Sequence, residues 1–263
     1  MAGRSGRDLC ILGMTQQSGP RKLLRKAGSN GRRETAISEY IVDIELVGPE
    51  EGFMSGSKTS NLIDGVLYRI RGDSWTAEPL PDIGQRYGFL KLEANAERQV
   101  YGQGYVVGGA MGSFALGAFD GSTWRTAMLP PECGYSLEGL AGATSGVYTL
   151  ASNVAAPSPH RLCRVSSDLS SWIALGEFPA QFPGRPSLAA TRAGTLVVTS
   201  NSMGYATAPM LIARGQAMIS CPTPLLYDSV TWVAPGSPLV HIFSASQFNP
   251  RGPGYHWTAR VDP

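Results

Sequence analysis

Three carboxylates stand in stretches whose pattern predicts β-strands. "YIVDIELVG" carries Asp43 and Glu45, and "FLKLEA" carries Glu93 beside Lys91, with Glu45 and Glu93 48 residues apart. Alternate residues of a strand share a face, so Asp43 goes with Glu45 and Lys91 with Glu93. If those faces line a channel, two carboxylates on adjacent strands are the acid and base that glycoside cleavage needs. The plainer reading is that a wet channel tolerates charge. A second set of polar residues lies in long loops, "SKTSNLIDG", "SNVAAPSPH", "NSMGYATAP" and "SQFNPRGPGYH". These hold Lys58, Asp64, His160, Tyr205, Arg251 and His256, candidates for ligand recognition because loops over a rigid scaffold are free to vary.

Other chemistry finds little support. His160, His241 and His256 lack metal-ligand spacing, and no metal or other cofactor is implied. The four cysteines, Cys10, Cys133, Cys163 and Cys221, form no CxxC pair and read as buried free thiols. "GQGYVVGG" has the wrong glycine spacing for a dinucleotide loop, and no helix follows it. "RGD" at Arg71–Asp73 sits at an expected hairpin tip, where Gly-Asp already has a structural reason.

The elements that must position these residues recur. Strands leading into a tight turn begin at Leu23, Leu67, Leu116, Leu162, Leu211 and Trp257, with spacings of 44, 49, 46, 49 and 46. Each is preceded by an apolar strand: 8–14, 52–58, 105–111, 147–153, 196–202 and 239–245. Upstream lies another, after Tyr40, Tyr87, Tyr135, Phe182 or Tyr227, and downstream a fourth that closes on proline. The unit is four short strands, here a, b, c and d, with Gly-Asp, Asp-Gly or Ser-Ser-Asp at the c–d turn.

Four-stranded units at this period predict an all-β fold, a β-propeller of about six four-stranded blades with incomplete terminal blades. The blades run 8–36 (without a), 40–81, 87–130, 135–179, 187–224 and 227–263 (without d), in one domain of residues 1–263. Trp75, Trp124 and Trp172, each opening a d strand, are placed to fill the widening gap between blades.

The phrases "GFMSGS…GVLYRIRGDSWTAEPLP" and "YVVGG…LGAFDGSTWRTAMLP…LEGLAGATSGVYTLAS" resemble the repeats of bacterial kelch-like and BNR-type propellers. The resemblance spans Asp8 to the C-terminus as a repeat pattern and contains no catalytic motif. The BNR Asp-box places Trp five residues after Asp, whereas "FDGSTW" and "SSDLSSW" place it four after. The resemblance therefore implies a propeller and does not imply sialidase activity.

Composition sets the remaining bounds. The 263 residues are 43% hydrophobic and 16% charged, with 32 Gly and 19 Pro, a turn-rich balance with ample core. No apolar run approaches the ~18 residues of a membrane span. The apolar stretch Leu9–Met14 is short for a signal sequence, which points to the cytoplasm or to a fragment of a longer secreted protein. Residues 1–33 hold eight Lys/Arg against Asp8 alone, yet the register makes them flank a c–d hairpin, so nucleic acid is disfavoured as a partner. The expected function is a non-catalytic binding or scaffold propeller that recognises a protein or other ligand through one rim. A carbohydrate-active propeller, a lectin-like binder or a hydrolase using Glu45, Glu93 and Asp43, is the competing expectation.

Overall fold

In a computed structural model the chain is all-β, and the strands among the described residues fall into six antiparallel sheets. Side chains are described within residues 37–198, apart from 49, 60–63, 73, 96, 109–112, 145, 153–158, 178–187 and 192–193; in 2–36, 178, 186–187 and 199–260 only the strand backbones are described. The first sheet holds β1 (Ala2–Ser5), β2 (Asp8–Met14), β3 (Arg21–Ala27) and β4 (Arg32–Ile37). The second holds β5 (Tyr40–Leu46), β6 (Glu51–Ser57), β7 (Gly65–Arg71) and β8 (Ser74–Glu78). The third holds β9 (Tyr87–Ala94), β10 (Val100–Val106), β11 (Phe114–Phe119) and β12 (Trp124–Met128). The fourth holds β13 (Ser136–Ala143), β14 (Gly146–Ser152), β15 (His160–Val165) and β16 (Trp172–Phe178). The fifth holds β17 (Pro186–Ala190), β18 (Leu196–Ser200), β19 (Pro209–Arg214) and β20 (Ala217–Pro222). The sixth has three strands among the described residues, β21 (Val230–Val233), β22 (Leu239–Ser244) and β23 (Tyr255–Arg260).

Every sheet is a simple meander whose spatial order follows the chain. The chain divides into two compact units, Met1–Leu129 and Pro130–Pro263. In the first unit, β1 and β2 pack against β5, and β5, β6 and β7 pack against β9. In the second, β13 packs against β17, and β17 and β18 pack against β21. Within each unit, successive sheets thus meet along their first strands. Among the described residues no helix is long and apolar enough to cross a membrane.

The burial follows strand position. The b strands β6 and β14 are buried along nearly their whole length, while the d strands β8 and β12 alternate between half-buried and exposed. Apolar clusters join neighbouring sheets: Ile37 with Ile41, Ile44 and Met54; Phe53 and Leu67 with Phe89 and Phe119; Tyr148 and Leu150 with Leu188 and Val198. Trp124 sits in the second of these. Its ring lies 5.5 Å from Phe53 of the second sheet and 5.1 Å from Phe89 of its own. Trp75 packs on the first cluster, and Trp172 is half-buried on β16.

Three expectations need correction. The first sheet is not missing its a strand: β1 pairs antiparallel with β2. "AGRS" has no apolar alternation, so only the partner strand reveals it. The third b strand is Val100–Val106 rather than 105–111. Its "VYGQG" reads as too glycine-rich for a strand, but Phe89 lies over those glycines. A Cβ on Gly102 would stand 2.7 Å from Phe89 Cδ1, and one on Gly117 2.4 Å from Cζ. Glycine inside a strand marks such a close approach. The third correction concerns the thiols. Cys133, on a short 3-10 turn at Pro131–Cys133, is bonded to Cys163 on β15, with Cα atoms 5.8 Å apart and both residues fully buried. The 30-residue separation carries no signature, because the turn meets β15 only through the tertiary fold.

Six of the eight basic N-terminal residues lie along the β3–β4 hairpin, with Arg25 opposite Arg33 and Lys26 opposite Arg32 in register, and Arg4 lies on β1.

Candidate ligand-binding rim

Each sheet has one end where the a strand starts, the b strand stops and the c strand starts again. In the second sheet this end is defined by Tyr40 opposite Ser57, and Ser57 opposite Gly65. In the third it is defined by Tyr87 opposite Val106, and Tyr105 opposite Phe114. The c–d hairpins turn at the other end.

The β6–β7 connection is clasped at its base. The Lys58 N–H (2.9 Å) and the Ser57 hydroxyl (3.0 Å) both donate to the Asp64 carbonyl, and Thr59 N–H donates to Ser57 Oγ. Lys58 is exposed, and Asp64 is half-buried. The Asp64 carboxylate faces Arg86, the residue just before β9, at 3.9 Å. Both groups are open to water, so the pair adds little stability; its interest is position. Arg86 is held by its backbone, since its carbonyl accepts the Val107 N–H at 2.8 Å. The two sheets approach closely here because Gly65 has no side chain: a Cβ there would lie 2.3 Å from the Tyr87 carbonyl oxygen. Tyr40 and Tyr105 are 41% and 42% exposed at this end, and Tyr105 stacks edge-on against Phe114 at 5.7 Å. Tyr87, the counterpart of Tyr40, is instead buried and donates its hydroxyl to the Pro81 carbonyl.

The corresponding end of the fourth sheet, in the second unit, carries a polar trio. Register pairs Ser136 with Ser152 and His160 with Phe178 at this end. The Ser152 hydroxyl donates to Glu138 Oε1 (2.5 Å), and His160 Nε2 lies 2.9 Å from Oε2. His160 is therefore not a loop residue: it begins β15 and is buried. Ser152 gives its proton to a carboxylate, so the trio is not arranged as a nucleophile handing a proton to an imidazole. It is a half-buried carboxylate satisfied by two donors.

Glu138 reaches this position through a bulge. In β5, β9 and β13 one residue is left unpaired where the register shifts, and these are Val42, Leu90 and Glu138, spaced by 48. A bulge turns its extra residue away from the ladder. Two sheets place an apolar residue there, and the fourth places an acid. Sequence reasoning passed over Glu138 inside "LEGLAG"; superposing the chain on itself at 48 residues would have shown a lone acid at an apolar position.

The carboxylates proposed for catalysis lie on the first strands of their sheets. Asp43 accepts two backbone N–H groups, Ile44 at Oδ1 (2.9 Å) and Leu92 at Oδ2 (2.7 Å). Burial pushes its pKa up, against the opposing pull of the Leu92 N–H, the Lys91 charge and the Ile44 N–H. Glu45 and Glu93 are half-buried on β5 and β9, opposite Phe53 and Tyr101. Tyr205 and Arg251 lie outside the described residues, as does the side chain of His256, whose backbone belongs to β23. Among the described residues no cluster of three His, Cys, Asp or Glu side chains could hold a metal.

No protein-family model matches the chain, and no curated protein matches it.

Proposed function

We propose that the chain is a non-catalytic binding or scaffold module of the β-propeller kind, which takes a protein or other ligand on the rim where b–c connections and a-strand starts converge. The blade reading draws on the meander order of the sheets and on the way first strand meets first strand inside each unit. The likeness of the repeats to kelch-like and BNR-type propellers belongs to the same proposal. A closed ring predicts a compact, near-isometric particle by small-angle scattering, and an elongated one would remove the propeller.

One observation carries the binding role. Tyr40 and Tyr105 remain exposed on the same end of two adjoining sheets that also present Lys58, Asp64 and Arg86. Tyrosine offers large rigid contact area and a polar tip at small entropic cost, which suits recognition. The lectin-like variant of the reading uses the same two rings as platforms for sugars. The test is capture of peptides and of a glycan array by the full chain and by Tyr40→Ala/Tyr105→Ala. Loss of at least about tenfold in affinity, at about 1.4 kcal/mol per decade, with unchanged circular dichroism supports the rim. Undiminished binding by the double variant places the ligand elsewhere. Turnover of a glycoside that vanishes in Glu45→Gln and Glu93→Gln would replace a binding module with a hydrolase.

A further inference from the structure

The Cys133–Cys163 bridge has a consequence for how the chain is made. Cys133 ends the turn that leads into the fourth sheet, and Cys163 lies in the middle of β15, three strands later in that sheet. Both residues are fully buried, so no reagent reaches the sulfurs once the sheet has closed. The same turn is tied to β15 a second time, since Arg161 Nη1 donates to the carbonyls of Pro131 (3.3 Å) and Glu132 (3.4 Å). The bond therefore has to form while β13–β15 are assembling and the sulfurs are still accessible.

We infer that the chain is a client of a dithiol–disulfide oxidoreductase and acquires the Cys133–Cys163 bond in an oxidising compartment before the fourth sheet closes. In this step the thiolate of one cysteine attacks the donor's disulfide, forming a mixed disulfide and releasing one donor thiol. The thiolate of the other cysteine then attacks the mixed disulfide, closing the Cys133–Cys163 bond and releasing the second donor thiol. The client loses two protons and two electrons, and the donor's disulfide takes them up. Persistent structural disulfides belong to such compartments, whereas the cytosol keeps thiols reduced. This inference is independent of the rim proposal, because it concerns the making of the fourth sheet rather than any ligand.

The experiment produces the full chain in a reducing cytoplasm and, separately, by export to an oxidising compartment, with and without its disulfide donor. Alkylation under acid quench followed by peptide mapping reads the pairing. Exported protein should show a Cys133–Cys163 cross-linked peptide, and removing the donor should sharply lower that fraction. Cytoplasmic protein should carry four alkylated thiols and melt roughly 10 °C lower. Cys133→Ser/Cys163→Ser should melt like the cytoplasmic form in either compartment, while Cys10→Ser/Cys221→Ser should leave the cross-link intact. Free Cys133 and Cys163 in exported protein, an unchanged yield of bridge without the donor, or equal melting of bridged and reduced forms would each overturn the inference.

Discussion

The Asp43 carboxylate on β5 accepts the backbone N–H of Leu92 on β9 at 2.7 Å, so a side chain of one sheet serves as a hydrogen-bond partner for the backbone of the next. The contact explains why an acid tolerates a largely apolar surrounding. The same carboxylate holds the Ile44 N–H with its other oxygen.

Removing this acceptor should be costly. Asp43→Ala leaves the Leu92 N–H without its partner, and a loss of about 2 kcal/mol is expected. The pH response follows from burial, which raises the folded-state value above 3.8. The folded state then holds the proton more tightly than the unfolded chain. Stability contributed by Asp43 is therefore greatest at low pH and falls as pH rises through the interval above 3.8. Urea titrations across that interval should show this slope in the wild type and its loss in Asp43→Asn.

The c–d turns respond to acid with the opposite sign. Asp168 accepts from the Ser166 hydroxyl (2.6 Å), the Ser170 hydroxyl (2.8 Å) and the Ser170 N–H (3.1 Å), which pull its value down to about 2. Asp120, 48 residues earlier, accepts from the Thr123 and Ser122 N–H groups and the Ser122 hydroxyl, and is likewise lowered. A lowered folded-state value means stability present above 3.8 and lost as pH falls toward 2. Melting temperature should drop across that range in the wild type and flatten in Asp120→Asn/Asp168→Asn. A double variant with the wild-type acid response would show that these turns do not control it.

The Phe89 slot makes a packing prediction. Its ring occupies the space that side chains on Gly102 and Gly117 would need. Gly117→Ala should cost roughly 1–3 kcal/mol through overpacking. Adding Phe89→Leu should recover part of that loss, since the smaller side chain vacates the slot. A double-mutant cycle by denaturant unfolding measures the coupling, and simple additivity would contradict the geometry.

What the sequence disclosed depended on whether a residue's reason was local. The hairpins at Asp120 and Asp168 were legible because Asp, Gly and Ser shape a turn through bonds to their own neighbours. The strands at 40–46, 65–71 and 196–200 were legible from apolar pattern and spacing. The register of β10 was not, since its glycines answer to Phe89 on an adjacent strand. Nor was the Cys133–Cys163 pair, which two otherwise unrelated segments create only when folded. At the rim, Lys58 and Asp64 were found at the foreseen connection, whereas His160 was foreseen in a loop and lies in a strand. Its partner Glu138 was hidden because a register shift shows in no strand taken alone, and only the 48-residue alignment with Val42 and Leu90 sets an acid against apolar counterparts.

Glu138 supplies the last test, because the repeat offers its own control. The second sheet has Val42 where the fourth has Glu138, so Glu138→Val is a change that the fold accepts elsewhere at the same place. If the acid were incidental, the substitution would be nearly neutral. With the Ser152 hydroxyl and His160 Nε2 both directed at the carboxylate, it should instead cost roughly 1–3 kcal/mol, as the half-buried Ser152 and the buried His160 lose a shared acceptor. Glu138→Gln keeps one acceptor oxygen and should lose less. Pairing Glu138→Val with His160→Phe removes donor and acceptor together, so the double variant should be more stable than the sum of the single losses by about 1 kcal/mol or more. Denaturant unfolding of the four proteins reads that coupling, and a value near zero would mean that the trio does not hold the end of the fourth sheet together.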